Sequence, residues 1–278
     1  YGPLGVPLLA TGDADEAASG LLALASGKAL VVPDLTLDGP VAAVLRRAAH
    51  ADGREVTTLG AHERAVFRPE SNPDPRAALS ARRRKEYARQ LRRLGAVGTI
   101  AQETIAESKA VAAAFEEFLA LEAAGWKGRR GTAMAAQADK QGFARAAVAR
   151  LAGDGAVQIQ ALRLDGRMIA GLVSLLAGDR AVTWKIAYDE AMARFSPGAQ
   201  VMLDAPVALA AAGVRLVDSL ATPDHPLVNH IWKDRAAIGT LIVAPAGGRL
   251  RHRLALAALG AETQTRALAR RLRDRIRG

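Results

Sequence analysis

The sequence predicts an α/β (α+β) fold in which helices flank a mixed central sheet. Three short alternating strands follow one another in the middle of the chain, at 157–164, 168–177 and 181–188. The turns between them contain Asp165-Gly166 and Gly178-Asp179, and Asp-Gly between two alternating segments favours a β-hairpin. Apolar residues recur at helical spacing before and after this block, which predicts amphipathic helices on both sides of it.

The upstream region has an α/β rhythm of short apolar segments and turn residues. It predicts a strand at 29–33, a helix at 40–50 and a strand at 55–59. Three prolines in the seven residues 69–75 remove amide donors and predict a loop. A long basic helix is then expected at 77–94, followed by Gly95, a favourable residue after a helix end.

From residue 105 the pattern predicts the element order α-α-β-β-β-α-β-α-β. The first helix is expected at 105–124, where Glu122 shares its helical face with apolar side chains, and the second at 141–151. A glycine-rich loop at 125–131 separates them. The elements expected after the three hairpin strands are a helix at 198–212, a strand at 214–220, a short helix and a strand at 241–243.

Composition excludes several classes of function. The 278 residues are half hydrophobic and include no cysteine, which rules out disulfides, thiol catalysis and cysteine-bound metals. The five histidines lack metal-ligand spacing and no serine lies in a nucleophile-elbow context, so we expect neither a metal nor a hydrolase. The sequence shows no membrane span and no secretory signal, so we expect a cytoplasmic protein, with peripheral attachment to the inner membrane as an alternative.

The net charge of +10 is concentrated in two segments. Residues 80–93 hold seven basic residues and one acid, and residues 249–278 hold nine arginines and two acids. The remainder carries 22 basic and 25 acidic residues. A solvated face, a surface for an anionic membrane and a site for a large anionic substrate are the three roles that these basic helices could have.

The segment between the third hairpin strand and the next helix has features of an anion site. Ser196-Pro197 is typical of a helix start, with Ser as the N-cap and Pro in the first turn. A helix N-terminus presents amides without intrahelical acceptors and suits a phosphate or pyrophosphate. Gly198 allows close approach to the backbone, and Arg194 adds a guanidinium. The alternative is a strand-to-helix turn with an ordinary cap.

Several separated strings resemble one group of acetyltransferases. They are E-A-A-G-W-K-G (122–128), W-K-I-A-Y-D-E (184–190), A-R-F-S-P-G (193–198), D-S-L-A-T-P-D-H-P (218–226) and the basic stretch R-R-R-K-E-Y-A-R-Q-L-R-R (82–93). Together they resemble the GNAT-like acetyltransferases of the cellulose-biosynthesis CelD type, which are related to the FemABX aminoacyl transferases. The resemblance covers residues 76–245.

This resemblance implies a domain organisation. Residues 76–248 are then a GNAT-like acyltransferase domain, in which 76–95 is a basic connecting helix. Residues 1–75 are a partial or degenerate GNAT-like unit, and 249–278 form an Arg-rich C-terminal helix.

The resemblance also implies a cofactor: acetyl-CoA or a longer acyl-CoA serves as acyl donor, and no metal is involved. The loop that would hold its pyrophosphate consists of Arg194, Phe195, Ser196, Pro197, Gly198 and Ala199. In the wider superfamily this loop reads Q/R-x-x-G-x-G/A. The present chain has only one glycine there, which leaves fewer certain backbone donors.

An acyl transfer to an amine needs a base for the ammonium proton and an acid for the departing thiolate. Asp218, at the end of a predicted strand, and His225, in the turn that follows, are candidates for the base. The alternatives are a capping or surface Asp and a structural His. The superfamily often uses a Tyr after this strand as the acid; none occurs here, so Tyr188 is the nearest candidate. A buried Tyr with a satisfied hydroxyl is the competing interpretation.

Two aromatic–cation pairs, Trp126-Lys127 and Trp184-Lys185, are candidates for substrate binding. The indoles would pack on the substrate while the lysines meet a negative group. The alternative is Trp in the core with Lys extending to solvent.

The function that follows is acyl-CoA-dependent N-acyl transfer, with acetyl as the expected group. The expected acceptor is a small-molecule amine of an envelope or polysaccharide precursor, or a long-chain amine. One alternative is a FemABX-like transferase that uses aminoacyl-tRNA, the only case in which we expect a nucleic-acid partner. Another is a catalytically silent GNAT-like module that binds or scaffolds components of polysaccharide assembly.

Overall fold

The computed structural model describes residues 7, 9–10, 12–25, 27–248, 253 and 256–257. They fold into two compact units. The first contains the described residues up to Glu63 and those from Ala236 onward, and the second runs from Arg64 to Arg235. The predicted helix at 249–278 lies almost wholly outside the described residues. Within the described ranges, no helix is long and apolar enough to cross a membrane.

The first unit packs two helices against three strand segments. Its elements are α1 (Ala14–Leu24), β1 (Leu30–Thr36), α2 (Pro40–Ala51), the first part of β2 (Val56–Phe67) and most of β8 (Asp234–Val243). The strand order is β1-β8-β2, and β1 is antiparallel to β8. Leucines from both helices and both of these strands form its core. The predicted β1, α2 and start of β2 are confirmed, whereas α1 was not predicted.

The second unit contains most of the helices and strands. Its helices are α3 (Ala81–Gly95), α4 (Ser108–Ala124), α5 (Trp126–Arg129), α6 (Ala138–Gly153), α7 (Pro197–Ala211) and α8 (Val228–Ile231). Its complete strands are β3 (Ile100–Ile105), β4 (Val157–Leu164), β5 (Arg167–Ala177), β6 (Arg180–Tyr188) and β7 (Leu216–Asp218). Short 3₁₀ helices occur at Pro75–Ala78, Met134–Ala136 and Glu190–Phe195.

The sheet of this unit is mixed, as predicted. Its order is β2-β7-β6-β5-β4-β3, and every neighbouring pair is antiparallel except β6 and β7, which run parallel. The two predicted hairpins are present, with Asp165 and Gly166 both at positive φ in the first turn. The predicted fold class, a mixed central sheet flanked by helices, is therefore confirmed.

Helices cover both faces of this sheet. On one face the core includes Leu94 of α3, Leu203 and Leu209 of α7, and Ile231 of α8. On the other face, aromatic and aliphatic side chains of α4 and α6 pack on alternate residues of β4 and on Met168 and Val173 of β5. In β4 the successive residues Ala161 and Leu162 reach opposite cores, as the two-residue period of a strand requires.

Three local predictions were wrong in detail. The basic helix begins at Ala81 and not at 77, because the Ser80 hydroxyl caps its first turn by accepting from the Arg83 amide (3.3 Å). Strand β3 was missed; α4 accordingly starts at Ser108, where the Glu107 carboxylate accepts from two helix amides. The glycine-rich loop contains the short helix α5. The domain boundaries at 75 and 248, and the assignment of the N-terminal segment as a partial GNAT-like unit, stay predictions.

Candidate active site

The pairing of β6 with β7 ends partway along β6, and we call the space beside the unpaired part of β6 the cleft. The two parallel strands pair only at Arg180, Ala181 and Val182 of β6. One further link follows, from the Thr183 hydroxyl to the Ser219 carbonyl (2.9 Å). In the described part of the chain, the remaining residues of β6, up to Tyr188, have no strand partner on this side. An open strand edge thus lies inside a sheet.

The backbone groups at this open edge follow from the pairing with β5. The Asp189 amide donates to the Ile169 carbonyl (2.8 Å), and Tyr188 stands opposite Ala170 in the same register. Hydrogen-bonded and non-hydrogen-bonded pairs alternate along an antiparallel ladder. Ile186 and Tyr188 therefore direct their amides and carbonyls away from β5, towards the open edge.

The predicted cofactor loop lies directly after this edge, at the start of α7. Ser196 has the left-handed conformation (φ 51°, ψ 49°), and its hydroxyl makes no capping hydrogen bond. Its carbonyl instead accepts from the amides of Ala199 (2.9 Å) and Gln200 (3.2 Å). Ser196 occupies the predicted N-cap position, but the predicted cap by its hydroxyl is wrong. Pro197 has no amide hydrogen, and the amides of Ala199 and Gln200 already donate to Ser196. The Gly198 amide therefore remains as the first-turn amide without an acceptor inside the helix.

Side chains of this loop have different environments. Phe195 is buried in the core, as are Pro197, Gly198 and Ala199. Arg194 is exposed, and its guanidinium lies 4.7 Å from the centre of the Phe195 ring. Arg194 is thus the charged side chain of the loop that a solute can reach.

The structure brings Tyr188 together with this loop. A Cβ on Gly198 would lie 3.2 Å from Cδ1 of Tyr188, so the glycine accommodates the tyrosine ring rather than an open anion cradle. Tyr188 is 37% exposed, and its position at the end of β6 places it beside the cleft. The alternative of a buried tyrosine does not hold.

A buried ion pair reaches the open edge from the helix α4 side. Glu122 is almost fully buried; one of its oxygens accepts from Lys127 Nζ (2.9 Å) and the other from the Met134 amide (2.9 Å). Lys127 Nζ also donates to the Ile186 carbonyl (2.9 Å), one of the groups that face the cleft. Lys127 therefore points inward, contrary to the alternative of a solvent-directed lysine.

Glu190 connects the segment around α5 to the segment that follows β6. Its carboxylate accepts from the Trp126 amide (2.6 Å) and pairs with Arg129 (2.5 Å). Arg129 and the Trp126 amide hold the pKa of Glu190 below its usual range. The Trp126 side chain is 45% exposed and lies 5.3 Å from the Arg130 guanidinium, a cation–π distance. The Trp126 backbone is thus tied to the segment after β6, while its ring stays exposed.

The second aromatic–cation pair divides between two environments. The Trp184 ring stacks on Phe115 (centroids 6.3 Å apart, 17° between planes) and packs against the core. Lys185 is half-buried, and burial lowers its pKa; the charge of Glu122 opposes this change, while Lys127 and Lys140 reinforce it. Trp184 thus packs on the core, as the alternative interpretation expected. Lys185 is close enough to Glu122 and Lys127 for their charges to affect its pKa.

Asp218 is held in a structural arrangement. One oxygen lies 3.4 Å from the Arg64 guanidinium, and the other accepts from the Leu220 amide (2.8 Å). Both Asp218 and Arg64 are buried. Both carboxylate oxygens are therefore engaged, and the catalytic role of Asp218 stays a prediction.

His225 caps a short helix. Its Nδ1 lies 3.2 Å from the amides of both Leu227 and Val228, so Nδ1 accepts and Nε2 carries the hydrogen. Burial lowers the pKa of His225 below its ordinary value of 6.5, opposed by the charge of Asp224. The lone pair that a general base needs is already used by the backbone, and the catalytic role of His225 also stays a prediction.

This cap predicts a pH dependence of stability. Because the pKa of His225 is lower in the folded chain than in the unfolded chain, its contribution is complete above pH 6.5 and is lost as the pH falls through the folded-state pKa. As the pH is lowered from 8 to 5, we expect the free energy of unfolding to decrease less in His225→Gln than in the wild type. Urea denaturation between pH 5 and 8 and ¹⁵N spectra of the ring measure this; an Nδ1–H tautomer, or titration above 6.5, contradicts it.

Sequence reasoning assigned Glu190 to the turn after β6 and predicted neither its contacts with Trp126 and Arg129 nor the contact of Glu122 with Lys127. Glu122 could have been found, because it is a carboxylate on an otherwise apolar helix face and needs a buried partner. Among the described residues, no cluster of histidine and carboxylate side chains could hold a metal ion.

Comparison with known proteins assigns the family. Residues 81–230 match the acetyltransferase (GNAT) domain, which is more than half of the chain. This chain is a member of the GNAT acetyltransferase family. No curated protein matches it in sequence.

Solved structures support the fold of this GNAT protein. FemX superimposes with a TM-score of 0.56 at 13% identity, covering 85% of this chain and 79% of FemX. A conserved protein of unknown function from Bacteroides thetaiotaomicron gives 0.54 at 11% identity, with 83% and 75% covered. The C-terminal domain of a putative lysylphosphatidylglycerol synthetase from Agrobacterium fabrum gives 0.53 at 14%, with 91% and 78% covered. These similarities show a GNAT-like fold.

Proposed function

We propose that this GNAT protein is an acyl-CoA-dependent N-acyltransferase of the CelD type, with acetyl as the transferred group. The acceptor in this proposal is an amine of an envelope or polysaccharide precursor, or a long-chain amine. The observation that carries the proposal is the separation of β6 from β7 beside the start of α7. The proposal places the protein in the cytoplasm or at the inner membrane.

The residues of the cleft fit an acyl-CoA in part. Ile186 and Tyr188 offer backbone amides that an extended, amide-containing chain could pair with along the open edge. Phosphate groups would meet the exposed Arg194 guanidinium; Gly198 is buried against the Tyr188 ring, so the loop offers fewer donors than a glycine-rich loop provides. When bound, acyl-CoA supplies an activated carbonyl carbon and a thiolate leaving group.

Lys127 and Tyr188 are the side chains proposed to act on the reacting groups. A lysine ammonium has three donors, and Lys127 uses one for Glu122 and one for the Ile186 carbonyl. We propose that the third donor stabilises negative charge on the carbonyl oxygen of the substrate. The Tyr188 hydroxyl, at the end of the same strand, is the proposed proton donor to the thiolate; it regains a proton, through solvent, from the attacking amine, which loses one as the amide bond forms and the C–S bond breaks.

Thermal unfolding in the presence of CoA, acetyl-CoA and a long-chain acyl-CoA tests the proposal. A ligand at 100 times its dissociation constant stabilises the folded state by about 2.7 kcal/mol. For a unit of this size we expect Tm to rise by roughly 5–10 °C. The proposal fails if none of the three raises Tm at millimolar concentration.

A matched pair of variants locates the site. Arg194→Ala should reduce the CoA-induced rise in Tm, because it removes the exposed guanidinium of the proposed cofactor loop. Arg150→Ala removes an exposed arginine from α6 and should leave the rise unchanged. Neither variant should change Tm without CoA.

A catalytically silent CoA-binding module is the second candidate. It is favoured by the engaged states of Asp218 and His225, which leave neither side chain free to act as a base. Release of free CoA thiol distinguishes the two, measured from acetyl-CoA with amino sugars and long-chain amines. A rise in Tm with CoA, but no thiol release with any amine, would favour the silent module.

A further inference from the structure

The outer face of α3 carries a line of five basic side chains: Arg82, Lys85, Arg89, Arg92 and Arg93. We name these five residues the basic stripe. All five are exposed. At 100° per residue they lie within about 100° of the helix circumference and extend about 17 Å along its axis.

The opposite face of α3 is fixed to the second unit. Tyr87, Leu91 and Leu94 pack into its core, and the Gln200 side chain donates to the Tyr87 carbonyl (3.0 Å). Tyr87 is the single aromatic residue of α3. The stripe therefore faces solvent on a helix that cannot rotate, and it has no aromatic ring.

Little of this charge is neutralised within the protein. Glu86 pairs with Arg89 (2.8 Å), and this pair holds the pKa of Glu86 below its usual range. In the ranges that the structure describes, the other four stripe residues form no salt bridge. Five positive charges and one negative charge are thus presented on one helix face.

We propose that the basic stripe docks this protein on a bilayer that contains anionic phospholipid. Clusters of four to eight basic residues on a helix suit the negative potential of such a surface. Val97, two residues beyond the end of α3, is 50% exposed and offers an apolar contact at the headgroup level. Single-stranded RNA is the less suitable partner, because its binding uses aromatic side chains as stacking platforms.

Docking does not depend on the proposed acyltransferase activity. The docking proposal rests only on the charges of the basic stripe, on their exposure and on their alignment along α3. Under the proposed function it has a consequence, because α3 also contacts the 3₁₀ segment Glu190–Phe195 beside the cleft. The candidate active site would then lie close to the membrane surface, where a long-chain or lipid-linked amine is found.

Vesicle sedimentation with the full 278-residue chain tests the proposal. The vesicles are phosphatidylcholine with 30 mol% phosphatidylglycerol, and phosphatidylcholine alone. The stripe variant is Arg82→Gln, Lys85→Gln, Arg92→Gln; the control variant is Lys109→Gln, Arg150→Gln, Arg180→Gln, which lowers the net charge by the same three units from exposed positions elsewhere. Since each basic residue contributes about fivefold, we expect on the order of 100-fold weaker partitioning for the stripe variant and little change for the control.

Three results would overturn the proposal. They are no binding of the wild type to the anionic vesicles at 0.1 M salt, an equal loss in both variants, or no loss in the stripe variant. Wild-type binding to tRNA, lost in the stripe variant and accompanied by no vesicle binding, would assign the stripe to RNA instead. The CoA-induced rise in Tm, measured on the same variants, should be unchanged, so failure of docking and failure of the proposed function are distinguishable.

Discussion

We expect Gly128→Ala to lower the free energy of unfolding by at least about 3 kcal/mol. A Cβ at this position would lie 1.7 Å from the carbonyl oxygen of Ala123 and 2.7 Å from its carbonyl carbon. Both atoms belong to the backbone of α4, so no side-chain rotation can relieve the clash. The segment cannot shift either, because Trp126 and Lys127 are bonded to Glu190, Glu122 and Ile186.

Gly142→Ala is the matched control. Gly142 lies on the exposed side of α6 with no atom within 4 Å of an added Cβ. Alanine should raise the free energy of unfolding there by about 0.5–1 kcal/mol, because it restricts the unfolded chain and favours helix. Urea denaturation of the three proteins measures both effects. A Gly128→Ala protein as stable as the wild type would show that the close approach to Ala123 does not exist.

The expected clash also gives a physical reason for the string E-A-A-G-W-K-G. Glu122 is the buried acceptor for Lys127, and Gly128 lets the chain pass the end of α4. The sequence alone showed a glycine-rich loop with an exposed tryptophan and lysine. In the structure Lys127 points inward, because the buried carboxylate of Glu122 needs a positively charged partner.

The fold was predictable where local signals are strong. Asp165-Gly166 and Gly178-Asp179 specify the two hairpins, since few residues other than Gly, Asn and Asp accept positive φ in such turns. β3 was missed because polar and apolar residues alternate only weakly in its sequence, I-A-Q-E-T-I. The strand lies at the edge of the sheet, where its side chains are exposed or partly buried. β6 and β7 were both predicted as strands. The point at which their pairing ends could not be predicted, because it depends on tertiary packing and not on the local sequence.

The positions of some candidate-site residues were predictable, because these residues follow directly from a predicted strand. Arg194 to Ala199 follow β6 as expected, and Tyr188 lies against Gly198. The roles of Asp218 and His225 could not be judged from sequence, because the contacts that engage these side chains depend on the fold. Arg64 lies 154 residues before Asp218. The amides that engage His225 belong to a turn whose geometry appears only in the fold.

We expect removal of either partner of the Glu122–Lys127 pair to destabilise the second unit. Lys127→Leu should cost about 3–5 kcal/mol, because it leaves a buried carboxylate without its cation. The Glu122 side chain is 2% exposed and the Lys127 side chain 23% exposed, so the lysine freed by Glu122→Leu can turn to water and that variant should lose less. The double variant should be more stable than the sum of the two losses predicts, with a coupling energy of about 2 kcal/mol.

The Glu116–Arg145 pair is the control for this cycle. It has bidentate geometry at 2.7 Å, but its side chains are about half exposed, so its coupling should be only about 0.2–1 kcal/mol. Equal coupling in the two cycles would mean that burial of Glu122 adds nothing, and additive losses at Glu122 and Lys127 would mean that the pair does not form. If instead the coupling at Glu122 and Lys127 is large and that at Glu116 and Arg145 is small, burial strengthens the interaction between the two charges. In that case Glu122 also holds the Lys127 ammonium at the Ile186 carbonyl, on the unpaired side of β6.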